Sequence, residues 1–424
     1  MSKSEEPTQE QRKEEASPEA CLTQDVTLNC LARVSRMDLA ALSVASKSYH
    51  SLVASSDLYK IRSLMDRTET YIYVCLLTPP PDPNPRWYIL RRRKTLDASD
   101  LIPIPSLPSQ PPEASSVVVL DWSIYVIGGM RNGKKRTSDV WLLDCLTHRW
   151  RPVPCMGLGV ARAYAAAQVV DGKIYVLGGC RRFDPNKWGE VFDPKTQTWD
   201  TLPPMPSMPT RKEGNKNIHD SVVRDQKVYV VDGTVRTYYY SPRQGLWGCG
   251  NRGQVKGNRR DWCMIDNLVY CLNVNGSIYW FEPDEFDLRE PEGMMDTKEV
   301  KGLGSLKRTL FRSRVVHFGE HLRQQWEQDK IKHGITPQTK NPFVISLELE
   351  DLLPGARLSN SGGNIMLFWD VIERDRLEIW CAEISLERRQ GGDVWGNIEW
   401  SNAVMTRVPF LERYKVLYSV SVTL

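Results

Sequence analysis

A strand, tight turn, strand and glycine-rich ending that recurs along this 424-residue chain predicts an all-β fold, a six-bladed β-propeller, preceded by a small helical domain and an acidic tail. Three observations carry the prediction. Residues 116–129, SVVVLDWSIYVIGG, have a close echo in residues 167–179, AQVVDGKIYVLGG. Each unit continues into an aromatic strand and a tryptophan, and Trp150, Trp199 and Trp247 stand 49 and 48 residues apart. All 14 tryptophans lie after residue 86, which separates the repeating part from what comes before it.

The elements follow in order. Residues 1–20 hold six acids against three bases and no aromatic or branched apolar side chain, so they are expected to form a disordered tail. In residues 21–66 apolar side chains return at helical spacing: Val26, Cys30 and Val34, then Leu39, Leu42, Ser46, Tyr49 and Leu52. With Asp38 and Asp57 read as N-caps, three short helices are expected there. So small a domain exposes part of any apolar face it makes, and a partner surface is expected.

Residues 67–112 are read as a first propeller hairpin, with strands around Ile72 and Trp87 and a proline-rich loop between them. Residues 114–155 and 160–206 are the two clearest units, and weaker copies follow at 215–250 and 258–293. Residues 303–357 are read as an irregular insertion, 358–402 as the last blade, and 414–424 as a strand that closes the ring on the first blade. A single unit of this size cannot offset its own ordering entropy, so the blades must bury one another's faces.

Composition narrows the function. The chain is 41% hydrophobic and 25% charged, ordinary globular material, and its formal net charge is only +4. That small value is an average: residues 1–20 sum to −3 and residues 301–340, with nine bases and three acids, to +6. Ten cysteines occur without a C-x-x-C pair, so neither a zinc framework nor a disulfide scaffold is indicated. The acidic start lacks the basic and apolar pattern of a signal peptide, and no apolar run approaches a membrane span. A cytoplasmic or nuclear protein, without a membrane role, is expected.

At this point the residues match a known family. Residues 22–66, with LNCLARVSR at 28–36, resemble an F-box; the Gly-Gly and tryptophan spacing resembles kelch repeats; and the whole is similar to the plant F-box/kelch-repeat proteins. That resemblance implies docking on a Skp-family adaptor, and through it a cullin, by the helical domain. Leu22, Val26, Leu28, Leu31, Leu42, Ser46, Lys47 and Tyr49 are the adaptor-binding candidates it implies. The family usually opens its F-box with Leu-Pro, whereas Thr23 follows Leu22 here.

Catalysis is not expected, and no cofactor or metal is assigned. The segment His317-Phe318-Gly319-Glu320-His321 fits a zinc-protease pattern, but Gly319 weakens the helix it needs and only six histidines occur in all. Some kelch propellers are copper oxidases, but of the six only His219 stands at a blade start. The Gly-Gly pairs end strands rather than open helices, so they are read as backbone devices and not phosphate loops.

In a four-stranded antiparallel blade, the loop between the second and third strands and the loop to the next blade share one end. There the sequence places Arg131, Lys134, Lys135, Arg136, Arg162, Tyr164, Arg181, Arg182, His219, Arg236, Arg260 and Trp262. Guanidinium groups beside aromatics suit an acidic protein target, although any one of these basic residues is also accounted for as a solvated charge. Nucleic acid is a weaker use of the same charges. The expected function is a non-catalytic substrate receptor of a Skp–cullin–F-box ubiquitin ligase. The rivals are a kelch interaction scaffold whose F-box no longer recruits a ligase and, less favoured, a copper or zinc enzyme.

Overall fold

The structure is a computed structural model. It describes residues 24–310 and 357–424 except 78–83, 93–98, 108, 112–113, 132–134, 158, 183, 207–217, 233–235, 252–261, 274–275, 288–294, 374–375 and 408–413. The expected tail 1–20, and the histidine pair at 317 and 321, lie outside the described residues.

The chain divides into two units, residues 1–69 with Leu424, and Thr70–Thr423. The first holds four helices rather than three: α1 (Gln24–Leu31), α2 (Arg36–Ala45), α3 (Lys47–Val53) and α4 (Ser56–Leu64). The apolar stripe runs unbroken through Leu39, Leu42, Ser46 and Tyr49, but Ser46 is extended (φ −152°, ψ 139°) and its side chain accepts from the Ser48 amide, so one helix becomes two. The caps also move. Ser35 and Ser55 occupy the N-cap positions and accept from the amides of Asp38 and Asp57. The two aspartates stand in the first turn, where their charge favours the helix dipole.

Leu28, Leu31, Ala32, Leu39, Leu58 and Tyr59 form this unit's core. Among them is a buried arginine. Arg62 reaches the carbonyls of Ala32 and Val34 through Nη1 and the Glu69 carboxylate at 2.7 Å through Nη2, so its charge is met on both sides.

Unit two is a six-bladed propeller of four-stranded antiparallel sheets. Blade 1 is ordered β26 (Lys415–Thr423), β1 (Thr70–Leu77), β2 (Pro85–Arg92), β3 (Ser99–Pro103). Blade 2 is β4 (Ser116–Leu120), β5 (Ser123–Ile127), β8 (Val140–Asp144), β9 (Arg149–Val153), with a small hairpin, β6 (Met130–Arg131) and β7 (Lys135–Arg136), inserted in its middle loop. Blade 3 is β10 (Ala166–Val170), β11 (Lys173–Leu177), β12 (Gly189–Asp193), β13 (Thr198–Thr201), and blade 4 is β14 (Ile218–Arg224), β15 (Lys227–Asp232), β16 (Thr237–Ser241), β17 (Leu246–Gly250). Blade 5 is β18 (Cys263–Ile265), β19 (Leu268–Leu272), β20 (Ile278–Phe281), β21 (Lys298–Glu299), and blade 6 is β22 (Arg357–Ser361), β23 (Asn364–Glu373), β24 (Arg376–Arg388), β25 (Val394–Arg407).

The strand expected at the end of the chain is β26, and it lies antiparallel to β1, with Thr70 opposite Thr423 and Leu77 opposite Lys415. It completes blade 1 from the far end of the sequence. Part of the segment read as irregular is regular: residues 304–310 are helical, and Leu303, Leu306 and Leu310 are buried with Val300, Leu358 and Trp369 of blades 5 and 6. The remainder, 311–356, lies outside the described residues.

The tryptophan spacing has a direct cause. On the outer strand of blades 2, 3 and 4, Trp150, Trp199 and Trp247 each donate the indole N–H to a prolyl carbonyl, of Pro105, Pro154 and Pro203, at 2.7, 2.8 and 2.9 Å. Each proline sits just beyond the outer strand of the preceding blade, so the bond ties neighbours together at the rim. The seam between blades 6 and 1 is made differently. There Glu383 accepts from Trp400 Nε1 at 2.8 Å and pairs with Arg92 at 2.7 Å, and the Arg92 guanidinium lies 5.1 Å from the centre of the Trp400 ring.

Candidate protein-interaction surfaces

The loop end of blades 2 and 3 is assembled by backbone contacts that glycine alone allows. Gly128 has φ +58°, and a Cβ there would stand 2.4 Å from the Arg162 carbonyl; Gly179 has φ +73°, and a Cβ would stand 2.8 Å from the Ala163 carbonyl. The amide of Gly129 donates to Arg162 O and that of Ala163 to Gly179 O, while bridges pair Thr137 with Arg162 and Arg162 with Cys180. The middle loop of blade 2, the loop to blade 3 and the middle loop of blade 3 are thus joined edge to edge.

Arg162 lies at the centre of this junction and is 1% exposed, so its expected place on an open binding face is corrected. Its Nη2 meets the Glu190 carboxylate at 2.7 Å, with Nε on the same oxygen at 3.3 Å, and both side chains are buried. The remaining N–H groups go to the carbonyls of Gly178 at 2.7 Å, Lys187 at 2.8 Å and Trp188 at 3.2 Å. One buried guanidinium thereby holds both ends of the loop 178–188. A carboxylate and several carbonyls are what a buried arginine needs to offset its desolvation.

The other predicted residues divide by location. Arg181 and Arg182 are exposed on that loop. Arg131 is half-buried and paired with Asp139 at 2.7 Å. Arg136 donates from Nε to Gly179 O at 3.1 Å, bringing the β6–β7 hairpin and its exposed Lys135 to the same end. Tyr164 is half-buried in the left-handed conformation (φ 57°), and its carbonyl accepts from the Ile218 amide.

Blades 4 and 5 contribute less. Arg236 is half-buried in a turn with Asp232, and Trp262 is packed edge-on against Phe281 and Phe286, with ring centres 5.8 and 5.2 Å away, rather than presented outward. His219 lies on β14, and neither its side chain nor Arg260 falls within the described residues. The residues that sequence reasoning did not single out are Lys187, exposed at the end of the same loop, and Glu190, whose pairing with Arg162 crosses 28 positions.

The helical unit sorts its own candidates. Leu28 and Leu31 are 5% and 4% exposed and belong to the core, Leu42 and Ser46 are half-buried, and Leu22 lies outside the described residues. Val26, Lys47 and Tyr49 are exposed. The largest apolar exposures are Val44 and Leu64, each 87%, which the helical stripe skips.

A cleft of about 420 Å³ lies elsewhere, along β2, β3 and β25, lined by Arg86, Tyr88, Asp100, Ile104 and Met405 among others. Among the described residues no three His, Cys, Asp or Glu side chains converge as metal ligands. None of the described helices is long and apolar enough to cross a membrane.

Comparison with known proteins agrees with this architecture. An F-box domain model matches residues 20–61, and the FKB95 kelch-repeats domain model matches residues 87–348. Three F-box/kelch-repeat proteins of Arabidopsis thaliana are similar over nearly the whole length. One is 38% identical, covering 98% of this chain and 97% of its own; a second is 34% identical, covering 96% and 94%; a third is 31% identical over the full length of both.

Proposed function

The chain belongs to the plant F-box/kelch-repeat family, and from that premise we propose that it is the substrate-recognition subunit of a Skp–cullin–F-box ubiquitin ligase. The observation that carries the reading is the union in one chain of an F-box match at 20–61 and a kelch match at 87–348. The helical unit binds the Skp-family adaptor, and the propeller holds a target protein by its loop end. The chain itself is non-catalytic and works in the cytoplasm or nucleus. Its contribution to the reaction is positional: tethering raises the effective concentration of the target's lysines at a conjugating enzyme carried by the other end of the assembly.

The adaptor contact is made by the exposed apolar side chains of the helices, Val26, Val44 and Tyr49, with Lys47 as a rim charge. Leu28 and Leu31 support that surface from beneath. A Leu31→Ala variant would therefore test folding by opening a cavity, whereas Val44→Asp and Tyr49→Asp place charge on side chains already facing solvent. The test is co-purification of the full chain with a Skp-family adaptor and cullin. Capture from the intact chain, cut about tenfold or more in Val44→Asp/Tyr49→Asp with the propeller's thermal transition unchanged, is the expected result. Intact protein that recovers neither subunit refutes the proposal.

A further inference from the structure

Some cations on this molecule are met by carboxylates, as Lys60 is by Asp57, Lys173 by Asp193 and Lys307 by Glu299. Lys135, Arg181, Arg182 and Lys187 are not, as is also true of Arg86, Arg149 and Arg243 among the described residues; what sets the four apart is that they gather on two joined loops. All four are exposed, and among the described residues none has a carboxylate within ion-pair distance. Three of them stand on the loop that Arg162 clamps at both ends, and Lys135 stands on the hairpin that Arg136 ties to Gly179 of that loop.

The clamp matters as much as the charge. A long cationic side chain on a loose loop loses conformational freedom when it binds, whereas here the backbone beneath Arg181 and Arg182 is fixed by the buried pair, the carbonyl contacts and the 3₁₀ turn Pro185–Lys187. Association to such a loop pays mainly for the side chains. Guanidinium groups are also suited to planar, two-point contact with carboxylate or phosphate oxygens.

We infer that the paired loops of blades 2 and 3 read an acidic segment of the target protein, carboxylate- or phosphate-bearing, with Arg181 and Arg182 as recognition cations and the Arg162–Glu190 pair as the group that positions them. The inference rests on the receptor reading above and specifies the chemistry of its target. A peptide is favoured over nucleic acid because the receptor reading calls for a protein target and because Asp184 stands between Arg182 and Lys187 on the same loop, interrupting the run of positive charge that a continuous phosphate backbone would follow.

The test uses the full chain bound to a Skp-family adaptor. Immobilised complex is offered peptide pools with a central Asp/Glu pair, with a central phosphoserine, or with an Asn/Gln pair, all other positions varied, together with a single-stranded oligonucleotide of equal charge. One or both acidic pools should be retained about fivefold or more over the amide pool, less so as salt rises; which of the two is retained identifies the acidic group. Arg181→Glu/Arg182→Glu should abolish that preference, and Lys195→Glu, an exposed reversal on the β12–β13 turn at the opposite end of the blade, should leave it intact. Glu190→Gln should lower the acid-over-amide ratio while adaptor capture is retained, a selectivity that a loss of folded protein would not produce. Equal retention of acidic and amide pools, preferential retention of the oligonucleotide, or a preference that survives the double reversal overturns the inference. Adaptor capture accompanied by a flat peptide profile leaves the receptor reading standing; loss of adaptor capture from the intact chain counts against that reading instead.

Discussion

Replacing Arg162 by methionine removes the guanidinium and keeps most of the apolar stem. Its partner Glu190 then remains 1% exposed at the side chain without that guanidinium, and the Gly178 and Lys187 carbonyls exchange the guanidinium for the weakly donating Cys180 thiol. The Trp188 carbonyl fares better, since it also accepts from the Gly178 amide. Breaking a buried pair from one side costs about 3–5 kcal/mol. The double variant Arg162→Met/Glu190→Leu removes the stranded carboxylate but leaves the two carbonyls sharing only the Cys180 thiol, at a cost below the about 1–3 kcal/mol of a wholly unsatisfied group. It should therefore recover part of the loss, with a coupling energy of about 1–3 kcal/mol in the double-mutant cycle. Denaturant unfolding followed by tryptophan fluorescence reads this directly, because all 14 tryptophans lie after residue 86 and the helical unit holds none. Additive losses, or a single-variant cost below about 1 kcal/mol, would refute the view that this pair is the fastening of the loop end.

Other consequences are open to measurement. Trp199→Phe removes the donor to Pro154 while keeping a ring against Phe192, so a loss of about 0.5–1.5 kcal/mol is expected by the same unfolding assay; no change would mean that the rim bond is replaced by water without cost. Burial and the nearby Asp287 carboxylate push Tyr229 from 10.0 to about 12. Since the unfolded phenol ionises first, the stability it contributes is complete below pH 10.0 and is lost as pH rises towards about 12; Tyr229→Phe should remove that component from the alkaline unfolding profile. Gly128→Ala should be strongly destabilising because its Cβ would collide with the Arg162 backbone, whereas Gly172→Ala, with open space around it, meets only the strain of its positive φ. Brief alkylation of the native chain should label Cys30 and Cys155 and spare Cys75, Cys263 and Cys381, whose thiols are buried and pushed up by desolvation, Cys263 to about 12; fast labelling of Cys263 would contradict its place in the core between blades 5 and 6.

The repeats were legible because their physical causes recur from blade to blade. A glycine at 128 or 179 is required by a close contact with the backbone of the loop joining blades 2 and 3, and a tryptophan at 150, 199 or 247 by a bond to the preceding blade, so both leave a period in the sequence. The number of helices was not legible, since the stripe through Ser46 is the same whether or not the backbone breaks there, and only the serine's capping bond decides it. Nor was the strand Ser99–Pro103 that completes blade 1: its sequence, SDLIP, lies in proline-rich surroundings and becomes a strand only because β2 is there to pair with it. Arg162 is the clearest case of missing information. A lone arginine in a loop reads as solvated, and the partners that bury it, Glu190 and the ends of another blade's loop, are brought to it by the closure of two sheets. The same holds for Trp262, whose partners Phe281 and Phe286 come from a later strand and turn of its own blade.

The pairing of β26 with β1 has a consequence for biosynthesis. Thr70 and Thr423 face each other across 353 positions of sequence, so the innermost strand of the first sheet is the last of the six sheets' strands to leave the ribosome. Until it does, β1 presents an open edge of the kind that templates unwanted strand pairing. A variant that lacks residues 415–423 would keep every loop discussed above and yet leave blade 1 without its innermost strand.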